Sequence, residues 1–232
     1  MERQNFHQIQ ALSFDCYGTL IDWETGILAA LMPFLKSKGF EPQAEEVLSL
    51  YAEFEPLAEK GEFKIYRSVL RAVMQSYAKH FGFELRDEEA KLLENSIQNW
   101  PAFPDTVEAL QKLSQNYRLS IISNIDEDLI RQTLPHLKQD FDAIITAEQV
   151  GAYKPSTENL EAALAQLELK KENLLHCAQS LYHDISPANK LGIPNCWVNR
   201  RKGKSGSGAT PLSSAQANHE VLNLAELATL LT

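Results

Sequence analysis

Ala11-Leu12-Ser13-Phe14-Asp15-Cys16-Tyr17-Gly18-Thr19-Leu20 is the stretch on which the fold turns. Ala11–Phe14 is a short apolar run of the kind that forms a buried strand, and it stops at an aspartate followed by a glycine-containing turn. From Trp23 to about Asn99 the rhythm is helical instead. Ile27, Leu31, Phe34 and Leu35 recur on one helical face, and Tyr66, Val69, Leu70, Val73 and Tyr77 do so again. After Pro101 and Pro104 strands and helices alternate. Leu119–Ile122, Ala143–Ile145, Leu174–Cys177 and Cys196–Val198 read as strands; Leu129–Leu137, Glu158–Leu167 and Ile185–Leu191 read as helices. Alternation of this kind predicts right-handed crossovers and a Rossmann-like, doubly wound parallel sheet. The first strand must join that sheet, because alone it cannot bury its two faces. The expected division is therefore an α/β core of residues 1–22 and 100–232, with 23–99 inserted as an all-helical domain above the carboxyl ends of the strands.

The whole composition agrees with a folded enzyme-sized chain. Its 232 residues are 44% hydrophobic and 23% charged, enough to bury a sizeable core. With 22 Lys and Arg against 31 Asp and Glu the net charge is −9, which disfavours a nucleic-acid partner. The longest apolar run, Ile27 to Leu35, is about nine residues and contains Pro33, too short to span a bilayer. Glu2 and Arg3 precede any apolar stretch, so no signal peptide is expected. Cys16, Cys177 and Cys196 are an odd set without paired spacing, which suits a reducing compartment. A cytoplasmic protein with neither membrane nor nucleic-acid partner is expected, and the apolar insert is compatible with a homodimer.

The residues that leave the strands carry the chemistry. Asp15 follows the first strand, Ser123-Asn124 the second, and Lys154-Pro155 the third; Gln179-Ser180-Leu181-Tyr182-His183-Asp184 follows the fourth. Each alone is weak, since a strand-terminal Asp often caps a turn. Together, Asp15, Ser123, Lys154 and Asp184 converge on one sheet edge. A carboxylate held there can act as a covalent nucleophile. A nearby lysine favours its ionised form. The backbone N–H groups of the turn and the Ser123 hydroxyl can hold an anionic part of a substrate. Asp184 is the base available to activate water.

These four segments, in this order, resemble the motifs of the haloacid dehalogenase-like hydrolase superfamily, and the helical insert is similar to that family's cap domain. The resemblance implies Asp15 as nucleophile, with Lys154, Asp184, Ser123 and Thr19 completing the catalytic set. Cys16, Tyr17, Asn124 and Ser180 then fall among the substrate-binding positions. Where the phosphatase branch carries a second Asp that protonates a leaving alcohol, this chain has Tyr17. Proton donation of that kind is worth roughly 10²–10⁴-fold, whereas a halide leaves without it. Asp-x-Tyr-Gly-Thr resembles the (S)-2-haloacid dehalogenase branch, which implies a small organic acid as substrate and no cofactor. Gln179 at an acid position of the fourth motif points the same way. The alternative is a Mg²⁺-dependent phosphatase holding its ion with Asp15, the Tyr17 carbonyl and Asp184. A degenerate binding protein would have lost Asp15 or Lys154, and both are present.

Departures from the resemblance bear on the substrate. The dehalogenases carry a cap Arg whose counterpart near Tyr51–Phe54 is absent here, and Leu181 and Leu160 replace an Asn and a Tyr. Arg67 is a candidate replacement clamp for an anion, set against a solvated helix position or surface ion pair. Trp23, at the junction with the insert, is expected either to wall the substrate pocket or to pack the hinge. A His183 base or a Cys16 nucleophile is the weaker reading: in an extended segment His183 and Asp184 would face opposite ways. Arg200, Arg201, Lys202 and Lys204, with Gly203, Gly206 and Gly208, read as a flexible surface connection, with a flap over the substrate or a partner subunit as the alternative.

Overall fold

β1 (Ala11–Phe14) is buried along its whole length and lies in the middle of a parallel sheet. We describe the fold from a computed structural model covering residues 6–204, 206 and 208–232. Glu2 and Arg3 lie outside the described residues, as do Ser205 and Ser207 within the Lys202–Gly208 stretch. Among the described residues β1 is joined by β2 (Arg118–Ser123), β3 (Ala143–Thr146), β4 (Leu174–Ala178), β5 (Asn195–Val198) and β6 (His219–Val221), in the spatial order β3-β2-β1-β4-β5-β6. Every pairing is parallel.

Strand periodicity sorts the core into two layers. Leu12 and Phe14 point into one hydrophobic cluster, which Leu110 and Leu113 of α6 (Thr106–Leu113), Leu129 of α7 (Glu127–Leu137) and Leu227 of α11 (Leu224–Leu231) complete. Ala11 points the other way, into a cluster with Leu160 and Leu167 of α9 (Glu158–Leu167) and Ala188 of α10 (Ser186–Leu191). Helices thus cover both faces, as the doubly wound reading requires. β6 and α11 go beyond that reading, which ended the sheet at Val198.

Between β1 and β2 run α1 (Trp23–Ser37), α2 (Ala44–Glu59), α3 (Tyr66–Phe81) and two short helices, α4 (Asp87–Ala90) and α5 (Leu92–Ser96). Asp22 caps α1 by accepting from the Thr25 amide at 3.2 Å. Gly82, in the left-handed region at φ 77°, closes α3. The chain leaves and re-enters the sheet side by side: the Asp22 amide donates to Pro101 O at 2.8 Å and the Phe103 amide to Leu20 O at 3.1 Å. Gly26 lets this junction close tightly: a Cβ there would stand 2.3 Å from the Trp100 indole, so the ring would have to shift.

The helical segment is docked on the sheet by polar contacts. Asp126, at the start of α7, accepts from the first two amides of α3, Tyr66 at 2.6 Å and Arg67 at 3.0 Å. The basic loop is not free. Arg200 donates to Asp105 and to the Thr19 carbonyl, Arg201 pairs with Glu24 and Glu45 of the helical segment, and Lys202 pairs with Glu220. These acceptors, distant in the sequence, replace the flexible connection expected there. No described helix is long and apolar enough to cross a membrane.

Candidate active site

Strand register assembles the site. Phe14 is level with Ile121 of β2 and Cys177 of β4, so the residues just beyond them emerge at one sheet edge. The turn after β1 is tight: Leu20 and Ile21 both donate to Cys16 O, at 2.8 and 3.0 Å. Gly18 sits in it at φ 98°, and a Cβ there would lie 3.0 Å from Trp23 Nε1 and 3.2 Å from Gln179 Oε1. Arg200 steadies the same turn through its 2.9 Å bond to Thr19 O.

Lys154 stands at the centre. Its ammonium donates to Asp15 Oδ1 at 2.7 Å, Asp184 Oδ1 at 2.7 Å and the Ile122 carbonyl at 3.0 Å, which uses all three hydrogens. Thr19 Oγ1 donates to Asp15 Oδ2 at 2.7 Å and accepts from the Gln179 amide at 2.9 Å. Behind Asp184, His176 Nε2 donates to Oδ1 at 3.0 Å, and Ser13 Oγ lies 2.8 Å from His176 Nδ1. Two of the residues that line the cavity here carry a buried polar atom without a hydrogen-bond partner among the described residues: Asp184 at Oδ2 and Ser123 at Oγ. The cavity is about 40 Å³, and Asp15, Lys154, Trp23 and Tyr17 line it too. A buried polar atom that faces a cavity and is unmatched by protein is ready for a ligand or water.

The charges follow from these contacts. Burial works against the Lys154 ammonium, but the two carboxylates outweigh it and hold its pKa above the usual range. Burial also pushes the Asp15 carboxyl upward; Lys154 pulls it back, the Asp184 charge raises it again, and the Thr19 bond favours ionisation. Asp184 meets the same burial, yet Lys154 and His176 together bring it down to about 2. The second donor separates the two carboxylates.

The predicted residues are unequally placed. Asn124 and Ser180 line the cavity but their polar atoms are engaged. Asn124 clamps the Lys154 backbone, accepting from its amide at 2.7 Å and donating to its carbonyl at 3.1 Å. Ser180 Oγ accepts from the His183 amide at 2.9 Å. Tyr17 spends its hydroxyl on Thr133 Oγ1 at 2.8 Å and sets its ring edge-on to Trp100. Cys16 does not reach the cavity; it is buried in the core, where burial pushes its thiol well above the ordinary range. Arg67 is also elsewhere, its guanidinium on Asp128 and Glu94. It does not line the cavity.

Glu55 of α2, Tyr66 of α3 and Thr210 also line the cavity and do not stand out in the sequence as site groups; Gln179, which the sequence marks as a missing acid, and His183, the weaker base reading, line it too. Leu181–Ile185 forms a turn of π-helix rather than an extended segment, so His183 and Asp184 both reach the cavity. Burial lowers His183 to about 4, which leaves it neutral at pH 7. Glu55 had a weak signal in its spacing of four from Tyr51 on an otherwise apolar face.

The site does not suit Mg²⁺ as its donor set stands. Mg²⁺ is held chiefly by carboxylate charge, and here the Lys154 ammonium already pairs with one oxygen of each carboxylate, Asp15 Oδ1 and Asp184 Oδ1. Among the described residues no group of three or more His, Cys, Asp and Glu side chains is arranged to hold a metal.

Known proteins resemble this chain over nearly its whole length. It is 27% identical to an (S)-2-haloacid dehalogenase of Pseudomonas putida over 227 residues, 94% of this chain and 95% of that one. The L-2-haloacid dehalogenase of Xanthobacter autotrophicus, solved with chloropropionic acid covalently bound, superposes with a TM-score of 0.79 at 18% identity, covering 96% of this chain and 98% of that one. A defluorinating L-2-haloacid dehalogenase superposes with a TM-score of 0.81 at 19% identity, covering 96% and 95%. The family model described as haloacid dehalogenase-like hydrolase matches residues 12–198. That match runs from the strand that Asp15 follows to the last residue of β5, and on its extent the chain belongs to the haloacid dehalogenase-like hydrolases.

Proposed function

We propose that the protein hydrolyses a short 2-haloalkanoic acid to the 2-hydroxy acid through an ester on Asp15. An Asp15 oxygen attacks C2 of the substrate, the carbon–halogen bond breaks, and the halide leaves with the electron pair. Water then adds to the Asp15 carboxyl carbon, giving a proton to Asp184; the hydroxy acid departs with the oxygen that Asp15 contributed and takes that proton from Asp184, while the second water proton leaves the regenerated Asp15 carboxyl for solvent. The observation that carries this reading is Lys154, 2.7 Å from both carboxylates, with Asp184 Oδ2 left without a protein partner.

Several features support the details. Ser123 Oγ, buried at the cavity and without a hydrogen-bond partner among the described residues, is a donor for the substrate carboxylate. The cavity is small, about 40 Å³, which favours a short acid over a long-chain one. Tyr17 is hydrogen-bonded to Thr133 and burial raises its pKa well above the ordinary range, so it is a poor acid for a leaving alcohol. Residues 23–99 act in this scheme as a cap that closes the cavity against water.

Halide release tests the reading against its rival. The protein should free halide from chloroacetate or 2-chloropropionate in EDTA, and hydrolyse a generic phosphate monoester poorly with or without Mg²⁺. Mg²⁺-dependent phosphatase activity without halide release would overturn it.

A further inference from the structure

The cap side of the cavity carries a group the proposed reaction has not used. In the attack proposed above the halide leaves on the side of C2 opposite the Asp15 oxygen. Asp15 enters the cavity from the sheet, whereas Glu55 and Tyr66 enter it from helices α2 and α3. Tyr51 Oη lies 3.1 Å from Glu55 Oε1 and 3.0 Å from Tyr66 Oη, and Tyr66 Oη donates to the same Glu55 Oε1. Tyr66 directs its hydrogen at Oε1, and the single hydrogen of Tyr51 is shared between that oxygen and Tyr66 Oη. Glu55 Oε2 has no hydrogen-bond partner among the described residues, and in the protonated acid it is the oxygen that carries the hydrogen.

We propose that Glu55, as a neutral carboxylic acid held by Tyr51 and Tyr66, is the leaving-group donor of this site and selects fluoride over heavier halides. The inference rests on the haloacid reading and names the substrate class within it, a short 2-fluoro acid. The Oε2 hydrogen points a bond at the departing halide; the proton stays on Glu55, and fluoride leaves with the electron pair of the broken bond. Fluoride is the smallest halide, the strongest hydrogen-bond acceptor and the poorest leaving group, so it gains most from such a donor. A small cavity gives the same preference. No guanidinium lines this cavity among the described residues, so the heavier, more polarisable halides meet no cation on the cap side.

The protonation state is consistent with that role. Burial pushes Glu55 up to about 7; the two tyrosine bonds and Lys154 oppose it and the Asp15 charge reinforces it. The other groups that face it are Glu59 on its own helix, which burial raises to about 9, Tyr77 on α3, and Tyr153 beside Lys154. His183 and Asp184 share the cavity.

Fluoride and chloride release from fluoroacetate and chloroacetate, measured across neutral pH on wild type, Glu55→Gln and Glu55→Leu, is the test. Circular dichroism checks that each variant folds. Wild type should release fluoride, with kcat falling as pH rises through about 7 more steeply than for chloride. Glu55→Leu should lower the fluoride-to-chloride rate ratio on the order of a hundredfold. Glu55→Gln, a neutral donor of nearly the same shape, should keep more of that ratio and lose the fall with pH. Equal loss on both halides in Glu55→Leu, or a wild-type pH profile in Glu55→Gln, would overturn the inference. Chloride release by wild type without fluoride release overturns it and leaves the haloacid reading standing; release of neither overturns both.

Discussion

His176 Nε2 lies 3.0 Å from Asp184 Oδ1, the same oxygen that Lys154 reaches at 2.7 Å. One carboxylate oxygen therefore takes two donors and the other takes none. An ionised carboxylate only accepts, so Nε2 carries the hydrogen, and Ser13 holds the ring from the Nδ1 side at 2.8 Å. His176 is a positioning residue: it turns Oδ2 toward the cavity. His176→Leu should slow turnover by roughly tenfold and move the acid limb of the pH–rate profile upward, because Asp184 loses a donor that lowers its pKa. His176→Gln, which keeps an N–H, should restore part of both. An unmoved acid limb in the Leu variant would reduce His176 to packing.

The same pairing makes stability depend on pH at the acid end. Asp184 sits at about 2, below its ordinary 3.8, because Lys154 and His176 outweigh burial. A carboxylate lowered on folding contributes stability that is full above its unfolded pKa and is lost as pH falls through the folded one. Urea denaturation of wild type and Asp184→Asn should differ most at neutral pH, and the gap should narrow between about pH 4 and 2. A gap that stays constant over that interval would contradict the assignment.

Gly26 and Trp100 set the junction between the helical segment and the sheet. An added Cβ would stand 2.3 Å from the indole ring, and Trp100 is almost fully buried. Gly26→Ala should lower stability by about 1–3 kcal/mol through overpacking, despite the usual helix-stabilising effect of alanine. Chemical denaturation reads the sign directly.

Arg67 should be dispensable. Its guanidinium pairs with Asp128 and Glu94 at a partly exposed position, and such pairs are worth about 0–1 kcal/mol. Arg67→Ala should leave kcat and KM within about twofold and stability within that range. A large rise in KM for the acid substrate would restore the clamp that the sequence alone suggested.

The polar residues at the strand ends were readable because register is a local consequence of strand period. Once Phe14 aligns with Ile121 and Cys177, the residues that follow them must meet. Contacts between distant helices carry no such signature. Glu55 looks like one acid among several on α2 until Tyr51 and Tyr66 are seen around it. An extended segment would turn His183 and Asp184 to opposite sides, whereas the π-helical turn capped by Ser180 brings both to the cavity. β6, with only three residues after a long polar loop, has too little alternation to announce itself. The basic loop looked unattached because its acceptors, Asp105, Glu24 and Glu45, lie far away in the sequence.

The nucleophile is the central claim, and a single turnover in ¹⁸O-water tests it most directly, with enzyme in excess over substrate and mass spectrometry of the peptide containing Asp15. Water attacking the ester at the Asp15 carboxyl carbon puts the label into Asp15 and leaves the first hydroxy-acid product unlabelled. Asp15→Asn, nearly isosteric, should fold and release no halide. Label in the product of the first turnover, with Asp15 unlabelled, would mean that water attacks the substrate directly and would contradict the account.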